Sequence, residues 1–395
     1  MEGQALLKYL KKHDPQTDIT LLDQKLDPDY LKSLDQFDLV YRSPGILYNL
    51  PEIQKAIRAG VKFSSPTNLF FEKARGKIIG ITGTKGKGTT TKLVYEILKN
   101  AGLEVYLGGN IGEAATDLLD QLTENSITVL ELSNTQLWDI KHSPHIAGVL
   151  GIFPEHLDWH KNFREYRNAK YNIAKFQTKS DFIFYFPDNK YSKRAANKSK
   201  GEKIAVDPDS LKIDLKMPGR HNRRNAAMAA AICVHVGVKL EIILDTIKDY
   251  AGLPHRLQLI ATVNGVDIYN DSASTNPQTT IAAIQTFHNR GKVLMLGGRE
   301  KKGFDYTDLV NLIKDDENIR AIILFDEDMQ LLKDRLGKQK NVKVASSIKE
   351  AVSMALKETK SGDVLLFSPG ATSFASYSNY QERGDVFTKL VKETI

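Results

Sequence analysis

Apolar and polar positions along this chain switch repeatedly between a period of two and a period near 3.6, and the order of the switches predicts the architecture. Residues 1–75 carry short signals: Asp18–Leu22 and Phe37–Tyr41 predict strands, and Ala5–Lys12 and Leu50–Ala59 predict helices. From Gly76 the pattern strengthens. Lys77–Thr82 (KIIGIT) predicts a buried strand, followed by a glycine-rich turn and a helix whose apolar residues Leu93, Val94, Ile97, Leu98 and Ala101 recur at helical spacing up to Gly102. Strands are predicted at Ile127–Leu132 and Ile146–Phe153, and a helix in Phe163–Thr178. Near Gly252 the pattern changes again. Leu257–Val263 and Val266–Asn270 flank Asn264-Gly265, a two-residue hairpin signal. Helix Pro277–Phe287, strands Lys292–Leu296 and Arg320–Phe325, helix Ile348–Glu358 and strand Asp363–Phe367 complete the prediction. Strand, loop and helix alternating in this way imply α/β folding on largely parallel, helix-covered sheets.

Composition narrows the class. The 395 residues suggest two or three domains, and 41% hydrophobic with 26% charged residues suits a folded protein with sizeable cores. A single cysteine, Cys233, excludes an internal disulfide. No apolar run approaches a membrane span, and the N-terminus lacks a signal-peptide pattern, so a cytoplasmic protein without membrane insertion is expected. The net charge of +7 peaks in Lys190–Lys203, which reads as a solvated loop. Lacking aromatic interleaving beyond Tyr191, that stretch does not predict nucleic-acid binding; a modest positive balance also suits nucleotides.

The clearest chemistry lies in Gly80-Ile81-Thr82-Gly83-Thr84-Lys85-Gly86-Lys87-Gly88-Thr89-Thr90. Glycines let backbone N–H groups surround phosphate oxygens, and the following helix N-terminus favours negative charge. Lys87 is placed to reach terminal phosphates, and a threonine hydroxyl to ligate Mg²⁺. The strict G-x-x-x-x-G-K-[ST] spacing is broken, because Gly80 is one residue too far from Gly86 and Gly88 moves the hydroxyl to Thr89. Glu131 closes one predicted strand, and His156 and Asp158 follow the next. Carboxylates at the carboxyl ends of parallel strands face a ligand crevice, although each alone is more often structural. Lys170 falls among Phe163, Tyr166 and Ile173 on one helix face; such a lysine either snorkels outward or, buried, becomes a reactive neutral amine. His221–Asn225 opens an alanine-rich helix at 226–232, with Asn222 as a possible N-cap. Gly252–Arg256 lies at the expected hinge, and Asp271–Asn276 precedes the helix at Pro277.

Taken in order, these motifs resemble the Mur ligase family. The resemblance runs through Gly83–Thr91, Glu131-Leu132-Ser133, His156-Leu157-Asp158, Tyr166–Lys170, Gly219–Asn222, His255-Arg256 and Asn270-Asp271-Ser272. Ser43-Pro44-Gly45 and Ser368–Phe374, running into Asn379–Asp385, belong to it too. It implies three domains: an N-terminal Rossmann-like domain over 1–75 for the UDP substrate, a central P-loop ATPase-type domain over 76–252 with a mostly parallel sheet, and a C-terminal Rossmann-like domain over 253–395 for the amino acid. The implied reaction is ATP-dependent joining of D-glutamate to UDP-N-acetylmuramoyl-L-alanine in peptidoglycan precursor synthesis, by a monomer.

Residue by residue, the resemblance assigns ATP to Gly83, Thr84, Lys85, Gly86, Lys87, Gly88, Thr89, Thr90, Asn222, Asn225, Arg256 and Asp271. Two Mg²⁺ ions would be held by Thr89, Glu131, His156 and a carbamoylated Lys170, with Lys87, Lys170 and His156 closest to the chemistry. Ser43, Pro44, Gly45, Asn110, Ser133 and Gln136 are matched to the UDP substrate, and Thr275, Lys301 (with Lys302 beside it), Ser373 and Tyr377 to the amino acid. Three departures stand out: Gly88 brings the loop closer to folylpolyglutamate synthase, Ala273 replaces a common lysine, and Glu155 stands where Asp is usual. Family members also begin with a strand and a Gly-x-Gly-x-x-Gly turn, so a missing first strand and a shortened N-terminus are expected here. The competing readings are a folate-type glutamyl ligase and a nucleotide-binding protein that has lost activity.

Overall fold

A computed structural model of the chain describes residues 2–395 except 156–158, 300–304, 327–329, 338–340 and 374–375. It divides into two compact units, one of residues 1–214 with 220–248 and one of residues 215–219 with 249–395. Residues 1–75, expected as a domain of their own, fall in the first unit.

That unit starts with the helix Glu2–His13 and a small parallel pair, β1 (Leu39–Tyr41) and β2 (Lys62–Ser64). Its main sheet contains β3 (Lys77–Thr82), β4 (Val105–Gly109), β5 (Ile127–Glu131), β6 (Ile146–Val149), β7 (Phe182–Tyr185) and β8 (Glu202–Ala205), in the order β4-β5-β3-β6-β7-β8 and parallel throughout. Ile78 on one face of β3 and Ile79 and Ile81 on the other are all buried, as strands covered on both faces require. The chain adds β4 and β5 on one side of β3 and then crosses back to β6 on the other. Such a reversal opens a crevice at the carboxyl ends of the strands. The helix Lys87–Asn100 buries Leu93, Val94, Ile97 and Leu98 and carries the chain away from that crevice.

The second unit has strands β9 (Gln258–Val263), β10 (Val266–Asn270), β11 (Lys292–Gly297), β12 (Ile319–Phe325), β13 (Val342–Ala345) and β14 (Val364–Gly370), ordered β13-β12-β11-β14-β10-β9. Only β9 runs antiparallel, paired with β10 through Asn264-Gly265, both left-handed at φ 52° and 78°. Apolar clusters cover both sheet faces, with Leu294, Leu366 and Ile313 on one and Ile323, Phe367 and Phe387 on the other.

Four expectations are corrected. Asp18–Leu22 has no regular structure: only Ile19 and Leu22 are half-buried, and its backbone joins no ladder. Lys190–Lys203 is not a loop, since Lys190–Ala196 is a helix capped by Asn189 and Glu202–Lys203 begins β8. Ser192, Ala195 and Ala196 bury the inner face of that helix, a small-residue stripe that the surrounding lysines obscured. Strand β6 ends at Val149 rather than Phe153, because the Gly151 carbonyl instead accepts Thr84 N–H at 2.9 Å. The alanine-rich helix spans Arg220–Val236, which places Asn222 inside it and not at its N-cap.

Candidate active site

In the first unit the phosphate loop leaves β3 with Gly83 at φ 155° and enters its helix through Gly86, left-handed at φ 85°. A Cβ at Gly86 would lie 2.1 Å from Asn225 Oδ1, so only glycine lets the loop close against the helix Arg220–Val236. The first N–H groups of the Lys87–Asn100 helix have no acceptor inside it and carry its positive dipole end, a ready anion site. Lys87 Nζ is folded back on the loop, donating to the carbonyls of Gly83 and Thr84 at 3.2 and 3.0 Å. Thr89 is half-buried in the first helical turn, whereas Thr90 is fully buried. Gly88 lies half-buried beside Thr89, and Lys85 is exposed and paired with Glu155 at 2.7 Å.

Thr84 points inward. Its hydroxyl accepts Phe153 N–H at 2.9 Å and meets Tyr166 Oη at 3.0 Å, stapling the loop to the segment after β6. Burial pushes the Tyr166 phenol well up from its usual value, which keeps it protonated in that contact. Pattern reading placed Tyr166 only on a helix face; its hydroxyl at the loop had no local signal.

Lys170 is buried, 1% exposed, on the helix Phe163–Lys175. Its Nζ donates to Gly83 O at 2.8 Å and lies 4.8 Å from the Tyr166 ring centre. Burial, reinforced by Lys87, holds its pKa well below the usual lysine value, with Glu155 and Glu131 opposing. The amine therefore does not snorkel to solvent. Glu131, 5% exposed, ends β5 and accepts Asn110 Nδ2 at 3.1 Å. Ser133 and Gln136 form a reciprocal capping box on Asn134–Leu137, and Gln136 Nε2 also reaches Glu2 Oε1 at 2.6 Å. Ser43, Pro44 and Gly45 form a turn closed by Ile46 N–H to Ser43 O at 3.0 Å. His156 lies outside the described residues, and among the described residues no three His, Cys, Asp or Glu groups converge as a metal site.

In the second unit Asp271 follows β10 and is buried. It accepts the hydroxyls of Ser274 and Ser368 at 2.5 and 2.8 Å and Leu257 N–H at 3.1 Å. Burial outweighs these donors and raises its pKa to about 6. The folded carboxyl thus keeps its proton where the unfolded one, near 3.9, has lost it, so the group's contribution is present at low pH and lost as pH rises through about 6. Between about pH 4 and pH 8 the stability of Asp271→Asn relative to the parent chain is expected to improve by on the order of 2 to 3 kcal/mol, read by denaturant unfolding. A parallel pair of pH profiles would contradict this.

Thr275 is half-buried in the same loop, and Asn276 caps the helix Pro277–Thr286. Ser373, 3% exposed, follows β14, and its carbonyl accepts Tyr377 N–H at 3.0 Å. Arg383 is fully buried, its pKa drawn down to about 10 by burial, and its guanidinium bonds the Ser272 hydroxyl and carbonyl and the Ala371 carbonyl at 3.1, 2.8 and 3.1 Å. It ties the 271–276 loop to the loop carrying Ser373, a link the sequence reading missed. Arg256 is exposed beside His255 and Leu257, both left-handed at φ 62° and 44°. Lys301 and Lys302 lie outside the described residues.

Two family models match the chain, the Mur ligase middle domain over residues 81–207 and the Mur ligase, glutamate ligase domain over 255–370. The UDP-N-acetylmuramoylalanine–D-glutamate ligase of Aquifex aeolicus is 33% identical over 404 residues, covering 99% of this chain and 96% of that protein. The chain belongs to the Mur ligase family. The protein of the same name from Acetivibrio thermocellus is likewise 33% identical, over 93% of this chain and 85% of its own. Among solved structures, MurF of Acinetobacter baumannii matches 98% of both chains at a TM-score of 0.65 and 16% identity. E. coli FolC in complex with ADP matches 83% of this chain and 93% of its own at 0.61 and 16%. These likenesses show the Mur ligase fold. No helix among the described residues is long and apolar enough to cross a membrane.

Proposed function

We propose that this chain is the ATP-dependent ligase that joins D-glutamate to UDP-N-acetylmuramoyl-L-alanine in peptidoglycan precursor synthesis. The observation that carries this reading is the similarity, over nearly the whole chain, to ligases of that name, together with a phosphate loop whose Lys87 and Lys170 both rest on Gly83. A free carboxylate is a poor acyl donor, because its carbonyl carbon resists attack and oxide is no leaving group. Transfer of the γ-phosphoryl group to the alanyl carboxylate gives an acyl phosphate and ADP. The amine of D-glutamate then attacks the carbonyl carbon, and the tetrahedral intermediate expels phosphate and sheds the amine proton to leave the amide. Catalysis of this kind is mostly positioning and charge neutralisation.

The loop N–H groups and the Lys87 amine are the proposed phosphate contacts. Thr84 serves by holding the loop, since its own N–H and hydroxyl are engaged with protein groups. Asn222, Asn225, Arg256 and Asp271 are assigned to the adenine nucleotide. The donor set suits Mg²⁺, a hard cation favouring oxygen: Glu131 offers a buried carboxylate at the crevice edge and Thr89 a hydroxyl in the first helical turn. They would hold one ion with His156, and the carbamate of Lys170 a second. The ions would neutralise phosphoryl charge when bound. The neutral amine of Lys170 is the species that captures CO₂, which is why its burial supports carbamoylation. Ser43, Pro44, Gly45, Asn110, Ser133 and Gln136 are assigned to the UDP acceptor, and Thr275, Lys301, Ser373 and Tyr377 to D-glutamate. The division into 1–75, 76–252 and 253–395 then follows acceptor, nucleotide and amino acid, in a cytoplasmic monomer. Phosphate release that requires ATP, D-glutamate and UDP-N-acetylmuramoyl-L-alanine together is the expected result. Turnover with a folate acceptor, or ATP hydrolysis indifferent to either co-substrate, would oppose it.

A further inference from the structure

One buried arginine holds the turn Ser43-Pro44-Gly45. Arg42 is 3% exposed, and its guanidinium meets four partners. Nε and Nη2 donate to the two carboxylate oxygens of Asp139 at 3.0 and 2.7 Å, a bidentate pair. Nη1 donates to the carbonyls of Ser43 and Ile46 at 3.2 and 2.5 Å, and Nη2 also to the carbonyl of Thr135 at 2.9 Å. The turn is thereby fastened to the helix Asn134–Leu137, although the paired charges stand 97 residues apart in the chain. The far side of the clamp is itself fixed: the Asp139 carbonyl accepts Asn68 Nδ2 at 3.1 Å, and Asn68 Oδ1 accepts Lys141 N–H at 2.8 Å.

We propose that Arg42, through Asp139, is a positioning residue for the UDP acceptor, setting the Ser43–Gly45 turn against Ser133 and Gln136. The inference rests on the assignment of both groups to that acceptor. The Arg42 guanidinium is spent on Asp139 and three backbone carbonyls; it joins two segments that are both assigned to the acceptor. A lysine cannot replace it, because one ammonium cannot serve a bidentate carboxylate and three carbonyls at once. Breaking the pair should therefore loosen the acceptor and leave the other two substrates alone.

The test uses Arg42→Lys and Asp139→Asn in the full chain, the second retaining shape where the first fails to fold. KM is measured for each of the three substrates, and the acceptor is titrated calorimetrically without ATP. Both variants are expected to raise acceptor KM and Kd roughly tenfold, with KM for ATP and D-glutamate within about twofold of the parent chain. The double variant should be little worse than either single one, since the two side chains act as a unit. An unchanged acceptor KM, an equal rise in all three, or loss of the fold in both variants overturns the inference alone. A parent chain that neither binds nor uses the acceptor overturns the functional reading, and the inference with it.

Discussion

Replacing Lys87 with alanine is expected to lower kcat by roughly two to three orders of magnitude while leaving the fold intact. The side chain is half-buried, and its present bonds go to two carbonyls of its own loop. In the proposed reading, incoming phosphate draws the ammonium away from those carbonyls, so the energetic demand falls on the transition state and little on the fold. Lys170 continues to bond Gly83 in the variant, which keeps the loop tied to the helix Phe163–Lys175. Arginine at position 87 should rescue poorly, because a planar fork does not substitute for a compact ammonium in so close a turn. The measurement is steady-state phosphate release alongside a thermal melt. Retention of most activity would remove the phosphate-loop role, and a collapsed melt would reassign Lys87 to the fold.

Lys170→Ala is expected to cost at least roughly a hundredfold in activity, and the parent chain should respond to CO₂. A carbamate forms from the neutral amine and CO₂ with loss of a proton, and acid returns it to the amine. Burial among Tyr166 and the loop lowers the pKa of the free amine, which favours the uncharged form that captures CO₂. Stripping CO₂ and bicarbonate at mildly acidic pH should therefore lower turnover, and restoring bicarbonate should recover it. Arginine or methionine at 170 can fill space but cannot form the carbamate. Indifference of the parent chain to bicarbonate would leave Lys170 as a buried strut that holds Gly83.

Where local periodicity and tertiary packing agree, the fold was legible before the structure. β3 over KIIGIT and the helix Ile348–Glu358 fall where their patterns place them, as does the hairpin at Asn264-Gly265. Buried chemistry at the loop was legible in type and not in orientation. Lys170 was visible as a lysine on an apolar face, but only packing decides that it turns to Gly83 instead of solvent. Thr84 looked like one more phosphate ligand, and its inward turn depends on Phe153 and Tyr166, about 70 to 80 residues away. The Arg42–Asp139 pair has no local signature at all, because nothing near either residue announces its partner. Asp18–Leu22 shows the opposite failure, a strand-like composition that joins no ladder among the described residues.

The most direct measurement is the product formed from UDP-N-acetylmuramoyl-L-alanine, ATP and glutamate, followed by mass spectrometry with D- and L-glutamate in parallel. One amide product with the D-isomer, formed in equal amount to ADP and phosphate, is the predicted result. ADP without amide, preference for the L-isomer, or a glutamylated folate in a competing incubation would contradict the account.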